Sequence, residues 1–230
     1  LRARLVNERP DDDHGRWMAK ALERTFELSE PVNYEPRMQD SVANRARELG
    51  VDPFSLALDL MLDGNGETLL MHPFENYCSG DLEVVKEMLL DPNSVCGVAD
   101  AGAHVGIICD ASSPTSLLTH WGRDRSRGPC LSLEFLVKKQ TRDTAETYGL
   151  LDRGLVGAGY KADFNLIDFD NLRLRRPEVA YDLPAGGRRI VQRADGYRHT
   201  FVSGIEVMQG GEPTGELPGR LLRGAQRGPA

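Results

Sequence analysis

The sequence predicts an α/β architecture that gives way to a small β-unit near residue 150. Three observations carry that expectation. The short apolar run Thr68-Leu69-Leu70-Met71 is followed by an amphipathic helix and then by a second apolar run, Ser94 to Ala99. That is the strand, crossover and strand order of a parallel sheet or barrel. Beyond residue 150, helical spacing is replaced by short alternating runs separated by glycine turns, such as Ser203-Gly204 and Gly210-Gly211.

Each element has a local reason. Trp17, Met18, Ala21, Leu22 and Phe26 recur at near-helical spacing and predict one amphipathic helix over 15–29. Pro31 and Pro36 make 29–38 an irregular connection. Asp40 or Ser41 caps a short helix that Gly50 ends. Asp52-Pro53 opens the next one, because proline at the first helical position gives up an N–H that has no helical partner anyway. Its Leu56, Leu60 and Met61 form an apolar face until Asp63-Gly64-Asn65-Gly66 turns the chain.

Thr68 to Met71 reads as a strand buried on both faces. Asp81 caps a helix with Leu82, Val85, Met88 and Leu89 on one side, and Asp91-Pro92-Asn93 breaks it. Ser94 to Ala99 is then the second buried strand, delivering Asp100 at its carboxyl end. Helices follow over 112–121 and 132–148, the second interrupted near Thr141 and stopped by Gly149. In the tail, Phe164-Asn165-Leu166 alternates, and Ile167-Asp168-Phe169 alternates out of phase. Residues 224–230 read as a loose terminus.

Composition narrows the class. The chain has 230 residues, 28 Lys and Arg against 35 Asp and Glu, and a formal charge of −7. That balance opposes a general nucleic-acid binder, which presents a basic face. No apolar run approaches the roughly 20 residues of a membrane span, so no membrane partner is expected. Cys78, Cys96, Cys109 and Cys130 form no C-x-x-C pair and lie in or beside apolar runs. They read as buried thiols of a reducing compartment, which makes a cytoplasmic protein the expectation.

The segment richest in chemistry is Val98-Ala99-Asp100-Ala101-Gly102-Ala103-His104. A carboxylate just past a buried parallel strand sits at the end where α/β barrels build active sites, and small neighbours leave room for a ligand. Such a group can ligate a metal or carry a proton between water and a leaving amine. The plainer alternative is that Asp100 caps the next turn.

Asp100-Ala101-Gly102-Ala103-His104, the run Cys109-Asp110-Ala111-Ser112-Ser113-Pro114-Thr115 and Leu118-Thr119-His120-Trp121 together resemble the amidohydrolase superfamily, in its N-acyl-D-amino-acid deacylase (D-aminoacylase-like) branch. Thr141-Arg142-Asp143-Thr144-Ala145 and the stretch from Arg153-Gly154-Leu155 to Ala162-Asp163 extend the resemblance. The latter resembles the superfamily's exit from its barrel into a β-domain.

The resemblance implies the C-terminal part of a metal-dependent hydrolase TIM-like barrel over 1–150, followed by part of a small β-sandwich domain over 151–230. It implies zinc, with Asp100 as both metal ligand and catalytic proton carrier, and with histidine ligands expected upstream of Leu1. The implied substrate is an N-acyl amino acid or similar amide, with a basic side chain pairing its carboxylate; His104, four residues after Asp100, and Arg123 are the candidate contacts. A full barrel takes about 250 residues, and the early H-x-H pair is absent, so this chain is expected to be inactive alone. A homo-oligomer is left open.

Two alternatives stand beside this reading: a cyclic amidase of hydantoinase or dihydroorotase type, and a non-catalytic scaffold or binding protein. Arg123 and Arg125 also fit an exposed basic pair at a helix end. His72 and His120 fit packing roles.

Overall fold

The structure, a computed structural model, describes residues 2–8, 12–97, 102 and 104–229. The chain gathers into two compact units, Leu1–Glu87 with Arg176–Val179, and Met88–Arg175 with Ala180–Ala230.

The first unit is mostly helical: α1 (Arg2–Asn7), α2 (Asp13–Ala21), β1 (Phe26–Glu27), α3 (Val42–Leu49), α4 (Pro53–Leu62) and β2 (Leu70–Met71), then the start of α5 (Glu83–Leu90). The predicted caps form. Ser41 accepts the Asn44 N–H, and Gly50 ends α3 in the left-handed region at φ 67°. Asp52 accepts the Ser55 N–H at 2.9 Å, with Pro53 in the first turn of α4. Leu22, Val42, Ala43 and Ala57 make the core, against which Phe54, Leu56, Leu60 and Leu70 pack. Tyr77 meets Phe26 edge to face at 6.3 Å, and its buried hydroxyl donates to the Pro36 carbonyl.

The structure corrects several of the expectations. The helix predicted over 15–29 stops early, because Thr25 is extended (φ −105°, ψ 134°) and Phe26–Glu27 becomes β1. β1 pairs antiparallel with β2, Phe26 opposite Met71. The predicted strand over 68–71 is therefore a two-residue, half-buried edge rather than one buried on both faces. Residues 94–97 carry no strand, while Val98, Ala99 and Asp100 lie outside the described residues.

In the second unit, α6 (Ser113–Thr119) runs into a wider turn over His120–Asp124, closed by the Arg125 N–H on the His120 carbonyl at 2.9 Å. α7 (Leu133–Gln140) starts on Ser132, and α8 (Arg142–Thr147) follows a break at Thr141, as the sequence predicts. Gly149 (φ 70°) closes α8, with the Leu150 N–H returning to the Ala145 carbonyl at 2.8 Å. Leu117, Leu118, Trp121, Leu136 and Leu172 are buried, and α7 packs on α6.

The β-unit holds β3 (Phe164–Ile167), β4 (Arg173–Leu174), β5 (Glu178–Leu183, of which 180–183 belong to this unit), β6 (Gly187–Val191), β7 (Ala194–Asp195), β8 (Tyr197–Val202), β9 (Ile205–Gln209) and β10 (Glu212–Pro213). A four-stranded sheet runs in the order β10-β9-β8-β3, and β4–β7 and β5–β6 form small ribbons. The pairs β3–β8, β4–β7, β8–β9 and β9–β10 are antiparallel, as β1–β2 is in the first unit. The phase change after Leu166 is real: the β3–β8 register shifts between Leu166 and Ile167. Ser203 and Gly204 both take positive φ, the twist a two-residue hairpin requires.

The terminus is not loose. The Gln226 N–H donates to Gly149 and the Leu151 N–H to Gln226, tying 226 beside 150. Nor are the four cysteines buried: Cys78 and Cys130 are exposed, Cys96 and Cys109 half-buried. Apolar neighbours in sequence do not bury a side chain when the segment itself lies at the surface.

Candidate functional site

Asp100, the proposed catalytic and metal-binding carboxylate, lies outside the described residues. A tight turn runs over 104–108. Gly102 and His104 have φ of 96° and 49°, and the His104 carbonyl accepts the N–H groups of Ile107 at 2.8 Å and Ile108 at 3.0 Å. The His104 residue is exposed. The turn is docked at its next residue, where the Val105 carbonyl accepts the Ile190 N–H of β6 at 2.7 Å. Ser112 then donates to the Gln192 side chain, and Thr115 on α6 meets the Tyr197 hydroxyl at 2.8 Å.

Arg123 sits in the wide turn after α6, and all five of its N–H groups are engaged. Nε and Nη2 donate to the two Asp124 oxygens at 2.6 and 2.9 Å. Nη1 donates to the Phe169 carbonyl and to that of Asp170, the latter at 3.3 Å, and Nη2 donates to the Leu172 carbonyl at 2.7 Å. The guanidinium also lies 5.3 Å from the Phe169 ring centre. A fork of five donors can gather several carbonyls at once, which a lysine cannot. Arg125, expected to be exposed, is buried with its guanidinium 4.6 Å over the Trp121 ring.

A polar cleft of about 510 Å³ opens beside Arg123, lined by Arg173, Arg175, Arg198, Asp170 and Asp195 among others. Its charges largely answer one another. Arg175 and then Arg173 hold the Asp195 carboxylate below the usual range, and Arg198, helped by Asn171, does the same for Asp168 nearby.

His72 follows β2 in the first unit. Its Nδ1 lies 3.1 Å from the Thr25 hydroxyl, and its ring meets Trp17 and Phe74 edge to face. Burial, with the Arg24 charge added, pushes its pKa below the ordinary 6.5. This is the packing role the sequence assigns it.

No hydrogen bond joins His104 to Arg123 among the described residues; one turn is docked on β6, the other side chain on 169–172. Among the described residues no three His, Cys, Asp or Glu side chains gather in a way that could hold a metal ion. Sequence reasoning passes over Lys139, which is 3% exposed. The available signal is its place three residues after Leu136, on the buried side of α7.

Known proteins resemble the chain. The amidohydrolase family model matches residues 11–208. An uncharacterized protein of Mycobacterium tuberculosis is 30% identical over 205 residues, covering 80% of this chain and 32% of that protein. The D-aminoacylase of Alcaligenes xylosoxydans xylosoxydans is 37% identical over 106 residues, 46% of this chain and 19% of the enzyme. The N-acyl-D-aspartate deacylase of the same organism is 34% identical over 92 residues, 40% of this chain and 17% of that one. A crystal structure of D-aminoacylase aligns with a TM-score of 0.43 and 22% identity, over 85% of this chain and 37% of that chain. The chain spans about a third of the length of the first of these relatives. With its motifs and most of its length matched, the chain belongs to the amidohydrolase superfamily and is D-aminoacylase-like within it.

Proposed function

We propose that this chain is part of a hydrolase of amide bonds that removes the acyl group from an N-acyl-D-amino acid. The observation that carries the reading is the family match over 11–208 together with 37% identity to a D-aminoacylase over 106 residues. In this reading residues 1–150 supply the last strands and helices of a barrel, and 151–230 part of a β-sandwich. The protein works in the cytoplasm.

Asp100 takes the proton of the attacking water and hands it to the departing amine. His104, exposed and four residues further along the chain, contacts the substrate. Arg123 meets the substrate carboxylate by exchanging its bonds to Asp124, the half-exposed partner among those it holds. Family membership suggests a metal; in this reading it is zinc, with Asp100 as one ligand and histidines from outside this chain as the others, and no metal site forms among the described residues.

The test is an assay of the longest polypeptide carrying this sequence on N-acetyl-D- and L-amino acids, with metal analysis. Turnover of the D-compounds, abolished in Asp100→Asn with the circular dichroism spectrum unchanged, is the expected result. An Asp100→Asn enzyme as active as the parent removes that carboxylate from the chemistry. Turnover of hydantoins or dihydroorotate instead would make the protein a cyclic amidase, and turnover of nothing would favour a binding role.

A further inference from the structure

The cleft beside Arg123 lies wholly within the second unit, and its lining begins with two short strands. Side chains alternate between faces along Arg173-Leu174-Arg175, which sets both arginines on one side of β4. The Arg175 N–H continues the ladder to the Arg193 carbonyl at 2.9 Å. Asp195 of β7 stands opposite Arg173 in the register and serves both arginines. It accepts from Nε of Arg173 and Nε of Arg175, each at 2.9 Å, and from Nη2 of Arg175. Arg198, near the start of β8, donates through Nη2 to Asp168 at 2.5 Å.

These pairs leave much of the guanidinium surface over. A guanidinium carries five N–H groups. Among the described residues the Arg173 side chain bonds only through Nε, and that of Arg198 only through Nη2. Both side chains are well exposed, 73% and 60%, above carboxylates that are 24% and 25% exposed. Ion pairs so open to water add little to stability. Stability therefore does not account for four arginines about one cleft. The carboxylates instead hold each guanidinium by one side and leave its other donors exposed.

The lining is also unbalanced in charge. Arg123, Arg173, Arg175 and Arg198 line it against Asp170 and Asp195, while Asp168 and Asp124, which pair with Arg198 and Arg123, do not. Residues 173–198 carry seven arginines against three acidic residues, opposite in sign to a chain whose formal charge is −7. Leu172 is the one apolar side chain among the described lining residues. The volume of about 510 Å³ suits a small molecule, but the wall suits a polar one. That wall is held in place by the bonds of Arg123 to 169–172 and by the contact of Gly196 with the Leu172 backbone. Donors fixed before binding lose less freedom when a ligand arrives.

We propose that this cleft binds a small organic polyanion, a molecule with two or more negative oxygens of phosphoryl or carboxylate type, through the remaining donors of Arg173 and Arg198. Guanidinium forks match both oxyanions. Asp170 opposes the ligand and limits its affinity. The inference uses no catalytic step and stands whether or not the parent hydrolyses amides.

The experiment is calorimetric titration of the longest polypeptide carrying this sequence with sodium pyrophosphate and with citrate, at constant ionic strength, and with acetate as a single-charge control. Saturable binding of one or both, with Kd below about 1 mM and acetate at least about tenfold weaker, is the expected result. Tighter pyrophosphate assigns a phosphoryl ligand, and tighter citrate a polycarboxylate. Arg173→Gln and Arg198→Gln should each weaken binding at least about fivefold, and Asp170→Asn should tighten it about twofold or more. Arg220→Gln, an exposed arginine outside the cleft, should leave it unchanged.

Absence of saturable binding by both compounds overturns the proposal. So does binding that Arg173→Gln and Arg198→Gln leave intact, as chelation of a metal would be, or that Arg220→Gln weakens equally. Should the two arginine variants fail to fold, Asp170→Asn decides, and binding no tighter than the parent's overturns the site.

Discussion

The Asp163 carboxylate accepts the backbone N–H of Ser203 at 2.7 Å, forty residues ahead in the chain. Its other oxygen takes a bond from Arg153 at 3.1 Å, and the neighbouring Ala162 carbonyl accepts the Gly204 N–H at 2.9 Å. The Arg153 and Ala162-Asp163 motif is thus a clasp that ties the entry of the β-unit to the β8–β9 turn. Ser203 needs such a clasp, since its φ of 52° is unfavourable for a residue with a side chain.

Asp163→Ala removes the acceptor from both groups and should destabilise the chain by about 2–3 kcal/mol. Asp163→Asn keeps an acceptor for Ser203 and should cost about half of that. Urea unfolding measures both; equal effects would show that the Ser203 bond contributes nothing, and an unaffected Asp163→Asn would show the same of the ion pair with Arg153.

Arg123→Lys should release the 169–172 segment, because a three-donor point charge cannot reach three carbonyls and a carboxylate together. The expected loss is about 2 kcal/mol by urea unfolding, with faster hydrogen exchange over 169–172. If Arg123 also meets the substrate carboxylate in the parent enzyme, KM rises with it. Unchanged stability would mean that the carbonyl bonds carry no weight.

Gly196→Ala should be among the most damaging single substitutions. A Cβ there falls 2.6 Å from the Leu172 Cα and 3.0 Å from the Asp168 carbonyl oxygen, at φ 101°. Both obstacles are backbone, so no side chain can swing aside. The strained conformation and the overlap together should cost about 3 kcal/mol or more. A melting temperature within a degree of the parent would contradict the close approach of 168–172 to Gly196.

His72 makes stability pH-dependent in a defined direction. Its folded pKa lies below the ordinary 6.5, through burial first and the Arg24 charge second. The unfolded chain therefore binds the proton more readily, so this contribution is complete above about pH 6.5 and is lost as pH falls through the folded value. His72→Gln should flatten the stability profile between pH 6.5 and 5 relative to the parent. An identical slope in the two proteins would show that His72 stays equally accessible to protons on folding.

The helices of the first unit are legible in the sequence because their signals are local. Ser41 with Gly50, and Asp52 with Pro53, mark helix ends through bonds spanning three or four residues. The phase change at Leu166 likewise announces the register shift in β3. β1 is hidden inside a helical pattern, since Phe26 fits a helix face as well as a strand, and only its pairing with Met71 selects the strand. The order of the tail is hidden for the same reason: nothing near Gln226 in sequence points to Leu150.

The site divides in the same way. The motifs around Asp100, His104 and Asp163 place the chain in its superfamily from residue order alone, together with the helix caps and hairpin turns, because those depend on neighbours along the chain. Tertiary structure alone decides which cations become buried and on what their donors are spent. Lys139 is held by Asp91 and Ser94 across more than forty residues, and Arg123 by Phe169 and Leu172 across a similar span. The energetic penalty for an unmet buried charge selects such partners only after distant segments have been brought into contact.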